Sequence, residues 1–90
     1  MIGISAQVSL YPLGQAELAP AIQEVLDALA AKGLPLQTGS MSTLTWGDDQ
    51  TVFEALREGF RRATQHGPAV MVITISNACP LPEKGEEDEG

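Results

Sequence analysis

The chain has 90 residues, which is enough for one small core but not for two. Its formal charge of −7 is uneven, because residues 80–90 hold five acids and one lysine. The rest of the chain carries four Lys or Arg against seven acids, so it is a poor partner for phosphate backbones. We therefore expect no nucleic-acid binding.

The remaining composition argues against several other classes. The N-terminal residues lack a basic segment followed by a long apolar one, and no apolar run is long enough to span a membrane. We expect a cytoplasmic protein without a membrane partner. Cys79 and His66 are the only residues of their types, which leaves an intrachain disulfide, a zinc site or a Cys–His nucleophile without partners. The sequence predicts no metal and no cofactor.

Residues 2–10 alternate in polarity, which predicts a first strand with one buried face. The apolar face holds Ile2, Ile4, Ala6, Val8 and Leu10. The opposite face holds Gly3, Ser5, Gln7, Ser9 and Tyr11, so it is polar but uncharged. Either a second subunit or ligand covers such a face, or it is simply solvated; the sequence favours neither.

Two amphipathic helices are predicted from apolar residues at helical spacing. The first has a stripe formed by Leu18, Ile22, Val25, Leu26 and Leu29, and Gly33 follows it as a left-handed cap. The second has a stripe formed by Val52, Phe53, Leu56, Phe60 and Ala63. Asp48 or Asp49 suits its N-cap, since a carboxylate accepts hydrogen bonds from the first free N–H groups.

Three further strands complete the pattern. Residues 34–38 and 42–46 form two short ones, and the second places Ser42, Leu44 and Trp46 on one face. Residues 69–78 are almost continuously apolar, which is typical of a strand covered on both faces.

The resulting order is βαββαβ. It predicts a ferredoxin-like α+β sandwich, in which two helices lie on one face of a four-stranded antiparallel sheet. Met71, Ile73 or Ile75 on the bare face would expose an unusual apolar patch, so sheet faces are expected to pack together in a dimer or tetramer. The folded domain would span residues 1–79. Residues 80–90 have too little apolar content to fold and are predicted to form a disordered acidic tail.

Polar side chains near the strand ends form the candidate site. They are Ser9, Tyr11, Ser42, Thr43, Ser76 and Asn77, with Asp48 at the start of the second helix. Hydroxyls, an amide and a carboxylate suit a polar heterocycle, but none is an obvious base near neutral pH. The site is therefore expected to bind and not to catalyse. An alternative for Asp48 and Asp49 is a plain helix cap, and for His66 a last-turn capping group.

Four segments in the same order resemble the YkoF-like thiamine-binding proteins, over about residues 2–79. They are Ile-Ser-Ala-Gln-Val-Ser-Leu-Tyr-Pro-Leu-Gly, Gly-Ser-Met-Ser-Thr with Trp-Gly-Asp, Val-Phe-Glu-Ala-Leu, and Val-Ile-Thr-Ile-Ser-Asn. The resemblance implies a ferredoxin-like fold that assembles into dimers and tetramers through sheet faces. It also implies binding of thiamine or its hydroxymethylpyrimidine half without a reaction.

The same resemblance suggests roles for individual residues. Asp48 would face the ligand's amine or positive charge. Hydrogen bonds to ring nitrogens would come from Gln7, Ser42 and Thr43, and ring faces would be covered by Met41 and Trp46. Ser76 and Asn77 lie in the matching last segment.

Two other functions stay open. One is a structural or regulatory homo-oligomer that holds no ligand. The other is a small isomerase or cyclase that would have to rely on His66 or on an acid with a shifted pKa.

Overall fold

The computed structural model describes residues 2–78. Its elements are β1 (Gly3–Pro12), α1 (Ala19–Ala31), β2 (Leu36–Thr38), β3 (Thr43–Asp48), α2 (Asp49–Ala63), a 3₁₀ turn (Thr64–His66) and β4 (Ala69–Ser76). The four strands form one antiparallel sheet in the order β2-β3-β1-β4, and both helices pack on one of its faces. This is the predicted ferredoxin-like α+β fold. The predicted acidic tail at residues 80–90 lies outside the described residues.

The core lies between the helices and the face of β1 that was expected to be buried. Ile4 and Val8 are 3 % exposed and Ala6 is fully buried. They pack against Val25 and Leu29 of α1 and against α2. Period-two alternation on the central strand therefore sets which face of the sheet the helices cover.

The two helices approach each other closely at Gly59. A Cβ at this position would lie 3.2 Å from the Cα of Val25 and 3.5 Å from the Cβ of Ala28. Small residues at a helix contact allow the backbones to come together, so the α1–α2 contact depends on side chains that an apolar-stripe pattern overlooks. Gly33, with φ of 78°, ends α1 in the left-handed conformation that the sequence predicts.

The predicted stripe of α1 is partly wrong. Leu18 and Ile22 are 49 % and 37 % exposed, whereas Ala21 and Ala28 are buried. Because α1 packs closely on α2, the small side chains form the helix–helix contact and the larger ones lie at its margin. In α2, Val52, Leu56 and Ala63 are buried as expected, but Phe53 is 53 % exposed.

The predictions for β4 also need correction. Met71, Ile73 and Ile75 pair with Leu10, Val8 and Ala6 of β1, so they lie on the helix side and not on the bare face. Val70 and Val72 occupy the bare face instead, and they are 47 % and 51 % exposed. A continuous apolar run gives no alternation from which to choose a face, so only the register with β1 decides it.

Candidate functional site

The bare face of the sheet carries three columns of side chains, one from each of the longer strands. The β1 column is Ser5, Gln7, Ser9 and Tyr11. The β3 column is Leu44, Trp46 and Asp48, and the β4 column is Val70, Val72, Thr74 and Ser76. Gln37 of β2 lies beside Leu44. Apart from Asp48 at one end, the face carries no charge, so its centre is polar and neutral with apolar side chains around it.

Ser5 shows that part of this face is already shielded. It lies between Trp46 and Ser76 in the register and is only 8 % exposed, although no helix covers this side. The flanking side chains therefore shield Ser5 and the adjacent β1 backbone from solvent. The indole N–H of Trp46 has no acceptor among residues 2–78, so it remains available as a donor.

Gln7 and Ser42 meet on this face beside the start of β3. The amide Nε2 of Gln7 donates to the hydroxyl Oγ of Ser42 over 3.3 Å. Both residues line an open cleft of about 340 Å³ with Gln37 and Leu44. The amide of Gln7 keeps a second N–H and a carbonyl oxygen that no group in residues 2–78 engages. One side chain thus offers both a donor and an acceptor to a ligand.

The loop before β3 lies against the second half of β1. The hydroxyl of Ser9 donates to the backbone carbonyl of Met41 over 3.2 Å. The Gly39 N–H donates to the Ser42 carbonyl over 2.8 Å, which holds the loop as a tight turn. Met41 itself is 74 % exposed, so its thioether projects into solvent beside the cleft. Thr43 is on the other sheet face, opposite Val8, and does not share the Gln7–Ser42 cleft.

Asp48 is at the far end of β3 from Ser42. The two positions are six residue steps apart along an extended chain, or roughly 20 Å. Its carboxylate caps α2, since it accepts from the Thr51 backbone N–H over 2.9 Å and from the Thr51 hydroxyl over 2.8 Å. The backbone hydrogen bond from Thr51, with help from the Thr51 hydroxyl, lowers the pKa of the Asp48 carboxyl below its ordinary value. The helix-cap interpretation of Asp48 is confirmed.

Apart from Thr43, the predicted site residues fall into two groups on or beside one face. Gln7, Ser9, Met41 and Ser42 lie around the cleft. Trp46, Asp48, Ser76 and Asn77 lie at the other end of the sheet, near Ser5. Leu44 and Gln37 also line the cleft, but they are not among the predicted site residues. The alternation of β3 places Leu44 on the same face as Ser42 and Trp46. This pattern was the signal in the sequence from which Leu44 could have been predicted as a site residue.

The remaining candidates for chemistry are metal ligands and His66. Residues 2–78 contain no group of three or more His, Cys, Asp or Glu that could hold a metal ion. His66 Nε2 lies 2.9 Å from Glu24 on the helix side, so it is remote from the cleft. No helix in the described part of the chain is long and apolar enough to cross a membrane.

Comparison with known proteins decides the family. The sequence profile of the YKOF-related family matches residues 3–82. The chain belongs to this family. Among curated proteins, none matches the sequence significantly.

Solved structures of low sequence identity share the fold of this YKOF-related protein. A hypothetical protein of Methanocaldococcus jannascii aligns with a TM-score of 0.81 and 21 % identity, over 98 % of this chain and 93 % of its own. A Streptococcus pneumoniae protein aligns with a TM-score of 0.76 and 19 % identity, over 98 % and 96 %. A Thermotoga maritima protein, provisionally named for thiamine biosynthesis or salvage, aligns with a TM-score of 0.72 and 16 % identity, over 81 % of each chain.

Proposed function

We propose that this protein binds thiamine or its hydroxymethylpyrimidine half on the bare face of the sheet, without chemical change. The observation that carries the proposal is the Gln7–Ser42 pair, which offers amide and hydroxyl groups from an uncharged surface. An aminopyrimidine needs an acceptor for its amine and donors for its ring nitrogens, and the Gln7 amide supplies both kinds of group. Such a site supports salvage, transport or sensing of the ligand.

Trp46 supports the same ligand class through its ring. It lies two residues from Leu44 on the same face, so its indole is on the same sheet surface as the cleft, toward the Asp48 end. Thiamine carries a fixed positive charge on a flat ring, and indole faces attract such cations. Asp48 lies beyond Trp46 and adds a long-range negative potential, while its carboxylate remains occupied by the helix cap.

Self-association completes the proposal. The cleft is open, whereas small-molecule sites usually bury most of the ligand. A second copy that packs its own bare face on this one would cover the ligand. It would also cover the apolar end of the face, where Tyr11, Val70 and Val72 are 46 %, 47 % and 51 % exposed. These three side chains also favour the alternative, a homo-oligomer whose sheet face holds no ligand.

Thermal unfolding with added ligand tests the binding proposal. Thiamine, hydroxymethylpyrimidine or a thiamine phosphate in excess of its Kd should raise the melting temperature. The Gln7→Leu variant should lose most of this rise, because it removes both hydrogen-bonding groups and keeps the size. Gln65→Leu is the matched control, since Gln65 is an exposed glutamine on the 3₁₀ turn, away from the bare face.

Two outcomes would decide against the proposal. If none of the three ligands shifts the melting temperature of the folded wild-type protein, thiamine-type binding is wrong. If Gln7→Leu responds like Gln65→Leu, the ligand binds elsewhere. Sedimentation velocity on the ligand-free protein addresses the alternative, because a stable oligomer that never responds to ligand would support a purely structural role.

A further inference from the structure

An open apolar groove lies on the helix side of the molecule, between α2 and the edge strand β4. It has a volume of about 640 Å³. Phe53 and Phe60 of α2 and Met71 and Ile73 of β4 form its walls. Since β4 is the last strand of the sheet, alternate N–H and C=O groups of its backbone point away from β1, and no strand in the described part of the chain pairs with them. An edge of this kind normally carries a charge or a proline that discourages further pairing, and Ala69–Ser76 contains neither.

Two cations without ion-pair partners line the same groove. Arg57 and Arg61 are one helical turn apart, and neither has an acidic partner within residues 2–78. Every other basic side chain in that range is paired: Lys32 with Glu54 at 3.5 Å, Arg62 with Glu58 at 3.1 Å, and His66 with Glu24 at 2.9 Å. The acids of α2 thus form ion pairs with other cations, and the groove combines apolar walls with local positive charge.

The spacing of the α2 side chains along the groove matches an extended strand. Phe53, Arg57 and Arg61 follow each other at intervals of four residues, or about 6 Å along the helix axis. Alternate residues of a β-strand lie on one face, roughly 6.6 Å apart. A strand that pairs with the edge of β4 would therefore place three successive side chains of one face beside these three positions.

The direction of the elements fixes the order in which such a strand meets them. β4 ends at Ser76 opposite Ser5, and α2 starts beside Asp48, which is opposite Gly3. Because the end of β4 and the start of α2 lie at the same end of the sheet, the two elements run in opposite directions. A strand antiparallel to β4 runs in the direction of α2, so it meets Phe53 first, then Arg57 and finally Arg61.

The charge of the groove argues against a second copy as its occupant. Two copies that paired their β4 edges about a two-fold axis would place their α2 helices side by side on one face of the joined sheet. Arg57 and Arg61 of each copy would then face the same pair in the other. Four cations without acidic partners repel each other along this seam, so the groove favours a partner of opposite charge.

We propose that an acidic peptide segment of another protein adds to the edge of β4 as a fifth strand, antiparallel to β4. Its backbone pairs with the free N–H and C=O groups of β4, and its side chains select the sequence. An apolar residue meets Phe53, and acids two and four residues later meet Arg57 and Arg61. The peptide lies on the helix side and at the sheet edge, separate from the bare face proposed for thiamine.

A synthetic peptide with this pattern tests the proposal on the full chain. The probe is the blocked heptapeptide Thr-Val-Thr-Glu-Thr-Glu-Thr, followed by NMR titration of the labelled protein. Binding should slow hydrogen exchange at alternate amides of Ala69–Ser76, because only alternate N–H groups point away from β1. The affinity should fall as salt rises from about 0.01 M to about 1 M.

Matched peptides and variants separate the charge pattern from simple stickiness. Thr-Val-Thr-Glu-Glu-Thr-Thr has the same composition but directs its two acids to opposite faces, so it should bind several-fold more weakly. Arg57→Gln with Arg61→Gln should weaken binding of the first peptide about fivefold to tenfold. Arg62→Gln is the control on the same helix, since Arg62 is paired with Glu58, and Gln7→Leu is the control on the bare face; neither should change the affinity. Circular dichroism verifies that the variants fold, and the two single arginine changes replace the double one if it does not.

Three results would overturn the inference. The first is a peptide that leaves the β4 amides unprotected at low salt. The second is equal affinity for a peptide with lysine in place of both glutamates. The third is protection of the same β4 amides without peptide that grows with protein concentration, together with a dimer in sedimentation velocity, which would assign the edge to a second copy.

Discussion

Replacing Thr45 with valine isolates one buried hydrogen bond. Thr45 is fully buried on the helix side of β3, and its hydroxyl donates to the Pro35 carbonyl over 2.8 Å. Pro35 lies just before β2, an edge strand of only three residues. Valine keeps the shape of threonine and removes only the hydroxyl, so the change tests how strongly this bond fixes β2 to the sheet.

The expected cost follows from the surroundings of the two partners. A net hydrogen bond contributes about 0.5–1.5 kcal/mol to folding, and a carbonyl left buried without a partner costs about 1–3 kcal/mol. Pro35 is an exposed residue, so water can reach its carbonyl and the larger penalty does not apply in full. We expect a loss of about 1 kcal/mol, which lowers the melting temperature of a domain of this size by about 4–8 °C.

Urea and thermal unfolding of the two proteins measure this loss. Thr43→Val is the matched control, because Thr43 is two residues earlier on the same face of β3. The Thr43 hydroxyl makes no side-chain hydrogen bond within residues 2–78, so its replacement should change stability far less. If Thr45→Val is as stable as the wild type, or if both variants lose equally, the Thr45–Pro35 bond does not hold β2 in place.

Three other predictions concern stability. Leu29→Ala should lower the free energy of unfolding by about 3 kcal/mol in urea titration, because Leu29 is fully buried and leaves a cavity. Gly47→Ala should cost about 1–3 kcal/mol, since its Cβ would lie 2.7 Å from Leu34 Cδ2, whereas Gly3→Ala meets nothing within 4 Å and should be nearly neutral. The lowered pKa of Asp48 means that its ionised form stabilises the fold above the unfolded pKa, and this contribution disappears as pH falls through the folded pKa. Acid titration of Asp48→Asn should therefore show a shallower loss of stability at low pH than the wild type; parallel curves would contradict this.

The sequence was most informative where side chains alternate. The faces of β1 and β3 followed from single residues such as Val8 and Trp46, because period two leaves only one choice once a face is buried. Asp48 as a helix cap followed from its chemistry, because few residue types accept from free helix N–H groups. The family segments then indicated Gln7 and Ser42, which the structure brings within hydrogen-bond distance.

Other features depended on contacts that pattern alone does not encode. Ile22 belongs to an apolar stripe, yet the close approach at Gly59 turns α1 so that alanines make the contact. Ile73 lies in an unbroken apolar run, and only its partner Val8 shows which way it faces. Asp48 and Ser42 were grouped because they are near in sequence, but an extended strand carries them to opposite ends of the sheet.

The junction at Asp48 links strand register to helix position. This residue is the last of β3 and also the cap of α2, so no loop separates the two elements. A one-residue slip of β3 against β1 would turn Leu44 and Trp46 toward the helices and pull the carboxylate away from Thr51. Any other register of β3 against β1 therefore loses the α2 cap, which makes each misaligned pairing less stable. An inserted residue should be harmful between Trp46 and Asp48, whereas one inserted between the exposed Ser40 and Met41 leaves the residues of β3 and their register unchanged.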